Sequence, residues 1–168
     1  MTRDLDIAIV MKVILTIDGL TWLDARKRRH LPPIAVNIFG TSIANYNFTC
    51  KLYHPLSTYM HIKDILMLEI TESSRIERLT DVNKSLQMFR NKGFVVCIDD
   101  FGAGAAGIDY LHMFDELAVR CAIFPLKGSE ILTAMAHLCR DMRITTIAEI
   151  VEDQTIADKA IECGVDFG

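Results

Sequence analysis

A repeated pattern constrains this chain more than any other feature: short apolar runs that end in a polar or acidic residue. Ile65-Leu66-Met67-Leu68 is followed by Glu69, Phe94-Val95-Val96-Cys97-Ile98 by Asp99 and Asp100, and Thr146-Ile147-Ala148 by Glu149, with Glu152 just beyond. An earlier run, Ile34-Ala35-Val36, is followed by Asn37. Runs this short and this rich in β-branched residues read as buried strands. Helical patterns separate them, and strands joined through helices run parallel. Strands that are apolar nearly throughout fit a parallel sheet covered on both faces. A doubly wound sheet and a TIM-type barrel are the two architectures that satisfy this.

The helices have their own signals. Leu5 to Leu23 reads as a buried helix, and Pro32-Pro33 blocks its continuation. Gly40 to Lys63 is polar and aromatic and stays ambiguous between helix and loop. Ile65 to Thr71 is a strand. Thr80 is placed to cap a helix with Val82, Leu86 and Phe89 on one face and Gly93 at its end. Phe94 to Ile98 is the next strand, followed by the turn-rich Gly102-Ala103-Gly104. Ser129 is placed to cap a helix carrying Ile131, Met135, Leu138 and Met142 on one face. Thr145 to Val151 reads as a strand. Asp153 caps a last helix that buries Ile156, Ala160 and Ile161 and stops at Gly164.

Alternation along a strand puts Met67 with Glu69, Val95 with Cys97 and Asp99, and Ile147 with Glu149. Each acid therefore points the same way relative to its strand. In a parallel barrel that direction is the interior of the C-terminal face, where active sites lie. One acid after a strand is commonly a helix cap or loop anchor. Three strands ending alike are harder to explain that way. Converging carboxylates repel one another unless cations compensate. All-oxygen ligands favour Mg²⁺, Mn²⁺ or Ca²⁺ over zinc. Two such ions roughly 4 Å apart would activate a water and steady a phosphodiester transition state.

Composition narrows the function classes. The chain has 168 residues and a net charge of −4. That is enough for one domain, with no global pull toward DNA, RNA or an anionic membrane. The basic run Arg26-Lys27-Arg28-Arg29-His30 reads as a solvated helix end rather than a phosphate-binding patch. The five cysteines form no CxxC pair, which argues against a disulfide framework or a zinc site and for a reducing cytoplasm. Asp6, Lys12 and Asp18 interrupt the only stretch long enough to resemble a membrane span.

Taken in order, the segments Val36-Asn37, Glu69-Ile70-Thr71-Glu72-Ser73, Asp99-Asp100-Phe101-Gly102-Ala103-Gly104 and Ala148-Glu149-Ile150-Val151-Glu152 resemble the EAL domain family. Tyr110-Leu111 and the terminal Gly164-Val165-Asp166-Phe167-Gly168 fit as well. The resemblance implies an incomplete TIM-type (β/α) barrel over residues 1–168, one partial domain that lacks its first strands and its last. It implies a bacterial signalling protein whose relatives hydrolyse cyclic di-GMP to the linear dinucleotide with Mg²⁺ or Mn²⁺. By carry-over, Asn37, Glu69, Asp99 and Glu149 resemble metal ligands, and Asp100 lies beside the bridging metal or its water. Glu152 resembles the second acid of the site. Glu72 resembles the anchor of the loop after Asp100, and Gly102 and Gly104 give that loop backbone freedom. Asp100-Phe101-Gly102 also spells the kinase metal-binding triplet, but no Gly-rich phosphate loop or His-Arg-Asp loop accompanies it.

The pattern breaks at three places. The Glu-Ala-Leu signature does not occur, because Met1 falls after its place. The family's Asp-x-x-Lys-Ile-Asp strand is replaced by Val119-Arg120-Cys121-Ala122-Ile123-Phe124-Pro125-Leu126-Lys127, and no catalytic role is carried onto Lys127. The chain stops before the family's Gln-Gly-Tyr. One missing transition-state contact is worth about 10²–10³ in rate, so weak or absent hydrolysis is expected. A cyclic-di-GMP-binding module, a piece of a larger phosphodiesterase and a protein-interaction module remain the three alternatives. A homodimer, or companion sensory or cyclase domains, are the partners these allow.

Overall fold

The computed structural model describes residues 2–23, 31–71, 79–99, 119–123 and 129–167. The expectations placed on Arg26 to His30, Glu72, Asp100, Gly102, Gly104, Tyr110 and Lys127 lie outside these. The chain divides into two compact units, Met1–Val96 and Cys97–Gly168.

The N-terminal unit opens with α1 (Thr2–Leu23), then β1 (Ile34–Phe39), α2 (Gly40–Ile43), α3 (Tyr46–Thr58), a 3₁₀ turn (Met60–Ile62), β2 (Leu66–Thr71) and α4 (Leu79–Arg90). β3 (Val95–Ile98) starts in this unit and finishes in the next. Strands β1 and β2 pair in parallel, with Ile34 opposite Leu66 and Asn37 opposite Glu69. The ambiguous stretch from Gly40 to Lys63 resolves into helix. Asn45 caps α3 by accepting from the Phe48 amide at 3.0 Å. Ile43, Phe48, Leu52, Leu56, Leu66, Leu68, Leu86 and Phe89 are all buried.

Three sequence expectations need correction here. The first helix is buried on one face only. Asp6, Val10, Ile14 and Ile17 face inward, while Leu5, Ile9, Leu15 and Leu20 are exposed. The cause is that α1 is apolar nearly all round, so its pattern could not say which stripe packs. Among the described residues no helix is long and apolar enough to cross a membrane. Second, β2 is covered on both faces but β1 is not: Ala35, Asn37 and Phe39 are exposed on the face opposite Val36 and Ile38. Third, Thr80 lies inside α4 and does not precede it. Gly93 does end that helix region, with φ +85 supplying the left-handed turn.

The C-terminal unit contains the end of β3, then β4 (Val119–Ile123), α5 (Ser129–Asp141), β5 (Thr145–Ala148) and α6 (Gln154–Glu162). β4 and β5 pair in parallel from Arg120 opposite Thr145 to Ile123 opposite Ala148. The strand order is β1-β2-β3 in the first unit and β3-β4-β5 in the second. Each strand thus neighbours the next in sequence, as successive βαβ units require.

Here too, helix faces differ from expectation. Helix α5 buries Leu132, Ala136 and Cys139, leaving Ile131 exposed and Met135, Leu138 and Met142 half-buried. Helix α6 buries Ala160, while Ile161 is 69% exposed and Ile156 half-buried. The buried stripe of α5 thus lies one residue on from the expected one, a rotation that counting apolar side chains does not detect. Asp153 does cap α6, accepting from the Ile156 amide at 2.8 Å, and Gly164 ends it with φ +87.

Candidate metal centre

In the N-terminal unit, the register of β1 and β2 sets Asn37 and Glu69 side by side on one face. Glu69 is buried and Asn37 exposed. An acid accepts that burial only with partners or a cation to offset desolvation. Both residues point out of strand ends whose other face is locked by Val36, Ile38, Leu68 and Ile70. Their direction is therefore a consequence of strand alternation against a packed layer.

Beyond the end of β1, the same unit holds a cavity of about 540 Å³ lined by Arg3, Asp4, Thr41, Ser42, Asn45 and Lys51, among others. Ser42 is 1% exposed, and its Oγ makes no hydrogen bond. Asp6 is 2% exposed, with Oδ2 making none. Neither residue was singled out from the sequence as a site residue. The signal for Asp6 was nonetheless present: it falls in register with Val10, Ile14 and Ile17, the only acid on a face that turns inward. Ser42 carried no comparable signal.

In the C-terminal unit, Asp99 occupies the turn directly after β3, and Glu149 follows the last residue of β5. Both are half-buried, and each offers a carboxylate oxygen within 4.8 Å of the other's. The strand expected to run to Val151 ends at Ala148. Ile150 takes φ +54, a conformation that a β-branched residue rarely adopts. Glu149 is thus the first residue past the strand, and the chain turns one residue later, at Ile150. Glu152 lies exposed before α6.

The donor chemistry suits a hard cation. Carboxylate oxygens and one amide oxygen are the ligands that Mg²⁺, Mn²⁺ or Ca²⁺ take. Two carboxylates this close gain from an intervening positive charge, which relieves their repulsion.

Comparison with known proteins points the same way. The sequence model of the EAL domain matches residues 1–168. The cyclic di-GMP phosphodiesterase PdeF of Escherichia coli is 26% identical over 152 residues, which is 85% of this chain and 20% of PdeF. The chain thus spans a small part of the curated relatives it matches. A crystal structure of an EAL domain protein from Listeria monocytogenes superposes with a TM-score of 0.76 at 25% identity, covering 95% of this chain and 63% of that one. The manganese and cyclic-di-GMP complex of Klebsiella pneumoniae BlrP1 superposes with a TM-score of 0.75 at 22% identity, covering 98% of this chain and 43% of that one. Apolar strands ending in acids, a mixed α/β fold with parallel strand pairs and a family match over the whole length lead to one conclusion: this chain belongs to the EAL domain family.

Proposed function

We propose that this chain is a cyclic-di-GMP-binding EAL domain that takes up Mg²⁺ or Mn²⁺ and hydrolyses the dinucleotide weakly or not at all. The observation that carries this reading is the Asp99–Glu149 pair, whose oxygens lie within 4.8 Å at the ends of two strands. Asn37, Glu69, Asp99 and Glu149 are the proposed metal ligands. When bound, the cation would lower the pKa of a water and neutralise charge on a phosphodiester.

The protein's own residues supply the rest. By the family resemblance, Asp100 would lie beside the metal or its water, and Glu152 would be the supporting acid. By the same resemblance, Glu72 would anchor the loop that carries Gly102 and Gly104. Arg3 and Lys51 bring positive charge to the cavity beyond β1, whose volume of about 540 Å³ matches a ligand of small-molecule size. Weak hydrolysis follows from the sequence between Val119 and Lys127, which lacks the family's lysine strand. Without that lysine, a transition-state contact worth about 10²–10³ in rate is lost. The absence of paired cysteine motifs supports a bacterial cytoplasm as its setting.

Calorimetric titration with cyclic di-GMP, with and without Mn²⁺, tests this reading. Metal-dependent binding with little linear product is expected. No binding sinks it, and rapid turnover to linear product sinks the weak-hydrolysis clause. A second reading, an interaction module, is favoured by the exposed Leu5, Ile9, Leu15 and Leu20 on α1. Light scattering that finds only monomer counts against it.

A further inference from the structure

Strand β5, which leads into Glu149, is stitched to the C-terminal segment by polar contacts. Asp166 Oδ2 accepts from the Thr146 amide and from Thr146 Oγ1, both at 2.8 Å. The Asp166 amide in turn donates to Thr146 Oγ1 at 3.0 Å. The Phe167 amide donates to the Thr146 carbonyl at 3.1 Å, and the Ala148 amide donates to the Phe167 carbonyl at 2.7 Å. Phe167 lies opposite Ile147 in a parallel bridge. Thr146 is 1% exposed, so its hydroxyl and amide have no access to solvent as an alternative partner.

This clamp closes one residue before Glu149. Immediately after Glu149 comes Ile150 at φ +54. A β-branched residue holds that backbone conformation only where the surroundings over-determine it. On the far side, the approach to Asp166 is itself held. Gly164 turns at φ +87, its carbonyl accepts from Arg140 Nη2 at 2.9 Å, and the Val165 amide donates to the Ala160 carbonyl at 3.0 Å. Without Asp166, two donors of Thr146 would lose their acceptor, and the end of β5 would be freed to relax the strained turn.

We infer that Asp166 is a positioning residue: acting through Thr146 and the end of β5, it fixes the direction in which Glu149 presents its carboxylate. The inference rests on the metal-site reading above. Small displacements of a ligand are costly, and partners that orient ligands commonly matter about 10–100-fold in metal affinity.

The test uses the full chain in four forms: wild type, Asp166→Ala, Asp166→Asn and Thr146→Val. Leu132→Val, in the core under α5, is the control for general destabilisation. Two readouts are taken, amide hydrogen exchange and Mn²⁺ titration. Asp166→Ala is expected to speed exchange at Ala148 to Val151 and to weaken Mn²⁺ binding about tenfold or more. Asp166→Asn keeps an oxygen acceptor for both Thr146 donors and is expected to restore both readouts. Thr146→Val removes only the hydroxyl bonds and should fall between. Leu132→Val should leave Mn²⁺ affinity as in wild type. Unchanged exchange at Ala148 to Val151 in Asp166→Ala overturns the clamp. Faster exchange there with unchanged Mn²⁺ affinity overturns the positioning role. If wild type itself binds no Mn²⁺, the metal reading falls and the positioning role with it, while the exchange data still decide the clamp.

Discussion

The two units hold their site residues in different ways. In the N-terminal unit, large side chains do it: Phe89, Phe94, Leu52, Leu66, Leu68 and Ile38 are fully buried, and Glu69 projects from a strand covered on both faces. Among the described residues of the C-terminal unit, the buried apolar set is mostly smaller: Cys97, Ala136, Cys139, Ala148, Ala160, Cys163 and Val165, with Ile98, Leu132 and Ile144. There the ends of elements are tied by polar contacts, through Asp153, Arg140 and Asp166. Apolar burial is insensitive to direction, whereas a hydrogen bond fixes both distance and angle. The contrast teaches that apolar packing sets the direction of Glu69, whereas hydrogen bonds tie the strand that leads into Glu149.

The strongest way to break this contrast is to cut the platform. Phe89→Ala should cost about 3–5 kcal/mol in chemical denaturation. Cys139→Ala, its small counterpart under α5, should cost about 1 kcal/mol. Equal losses would end the distinction.

Next in size is the cation. Glu69→Gln and Asp99→Asn should each weaken Mn²⁺ binding about tenfold or more, read by titration. An effect seen only for Asp99→Asn would confine binding to the loop side and leave Glu69 as a structural acid.

Smaller effects come from the two left-handed glycines. Gly93→Ala and Gly164→Ala both place a Cβ at positive φ, costing about 1–2 kcal/mol. The second should cost more, since its Cβ would come within 2.8 Å of the Arg140 guanidinium, against 3.3 Å from the flexible Lys63 side chain at Gly93. Equal losses in thermal unfolding would show that Arg140 simply moves aside. Least costly are the helix caps: Asn45→Ala and Asp153→Ala should each lose about 1 kcal/mol. Amide exchange at Phe48 and Ile156 reads them directly, because these are the amides the caps accept from.

Much of this was legible in residue order. The strand runs at Ile34, Leu66 and Val95, the glycine stops at Gly93 and Gly164, and the Asp153 cap were all found by pattern. The pairing of Asp99 with Glu149 was foreshadowed by acids ending successive strands. Other features were out of reach. Ile131 and Ile161 were expected inside and lie exposed, because the helices bury the adjacent stripe of Leu132, Ala136 and Cys139 and, in the last helix, Ala160. β5 was expected to reach Val151, because Ile150 and Val151 are good strand residues, yet the chain turns at Ile150.

The sequence by itself determined where strands start, where helices stop and which family the chain joins. These depend on side-chain periodicity, backbone freedom at glycine and local caps, all properties of near neighbours. Only the tertiary structure decided which face of α1 is buried, that Asp6 is buried with it, that Ser42 lines a polar cavity, and that Asp166 reaches back to Thr146. Those depend on which distant elements meet, and a contact across 20 residues leaves no periodic trace in the order of amino acids.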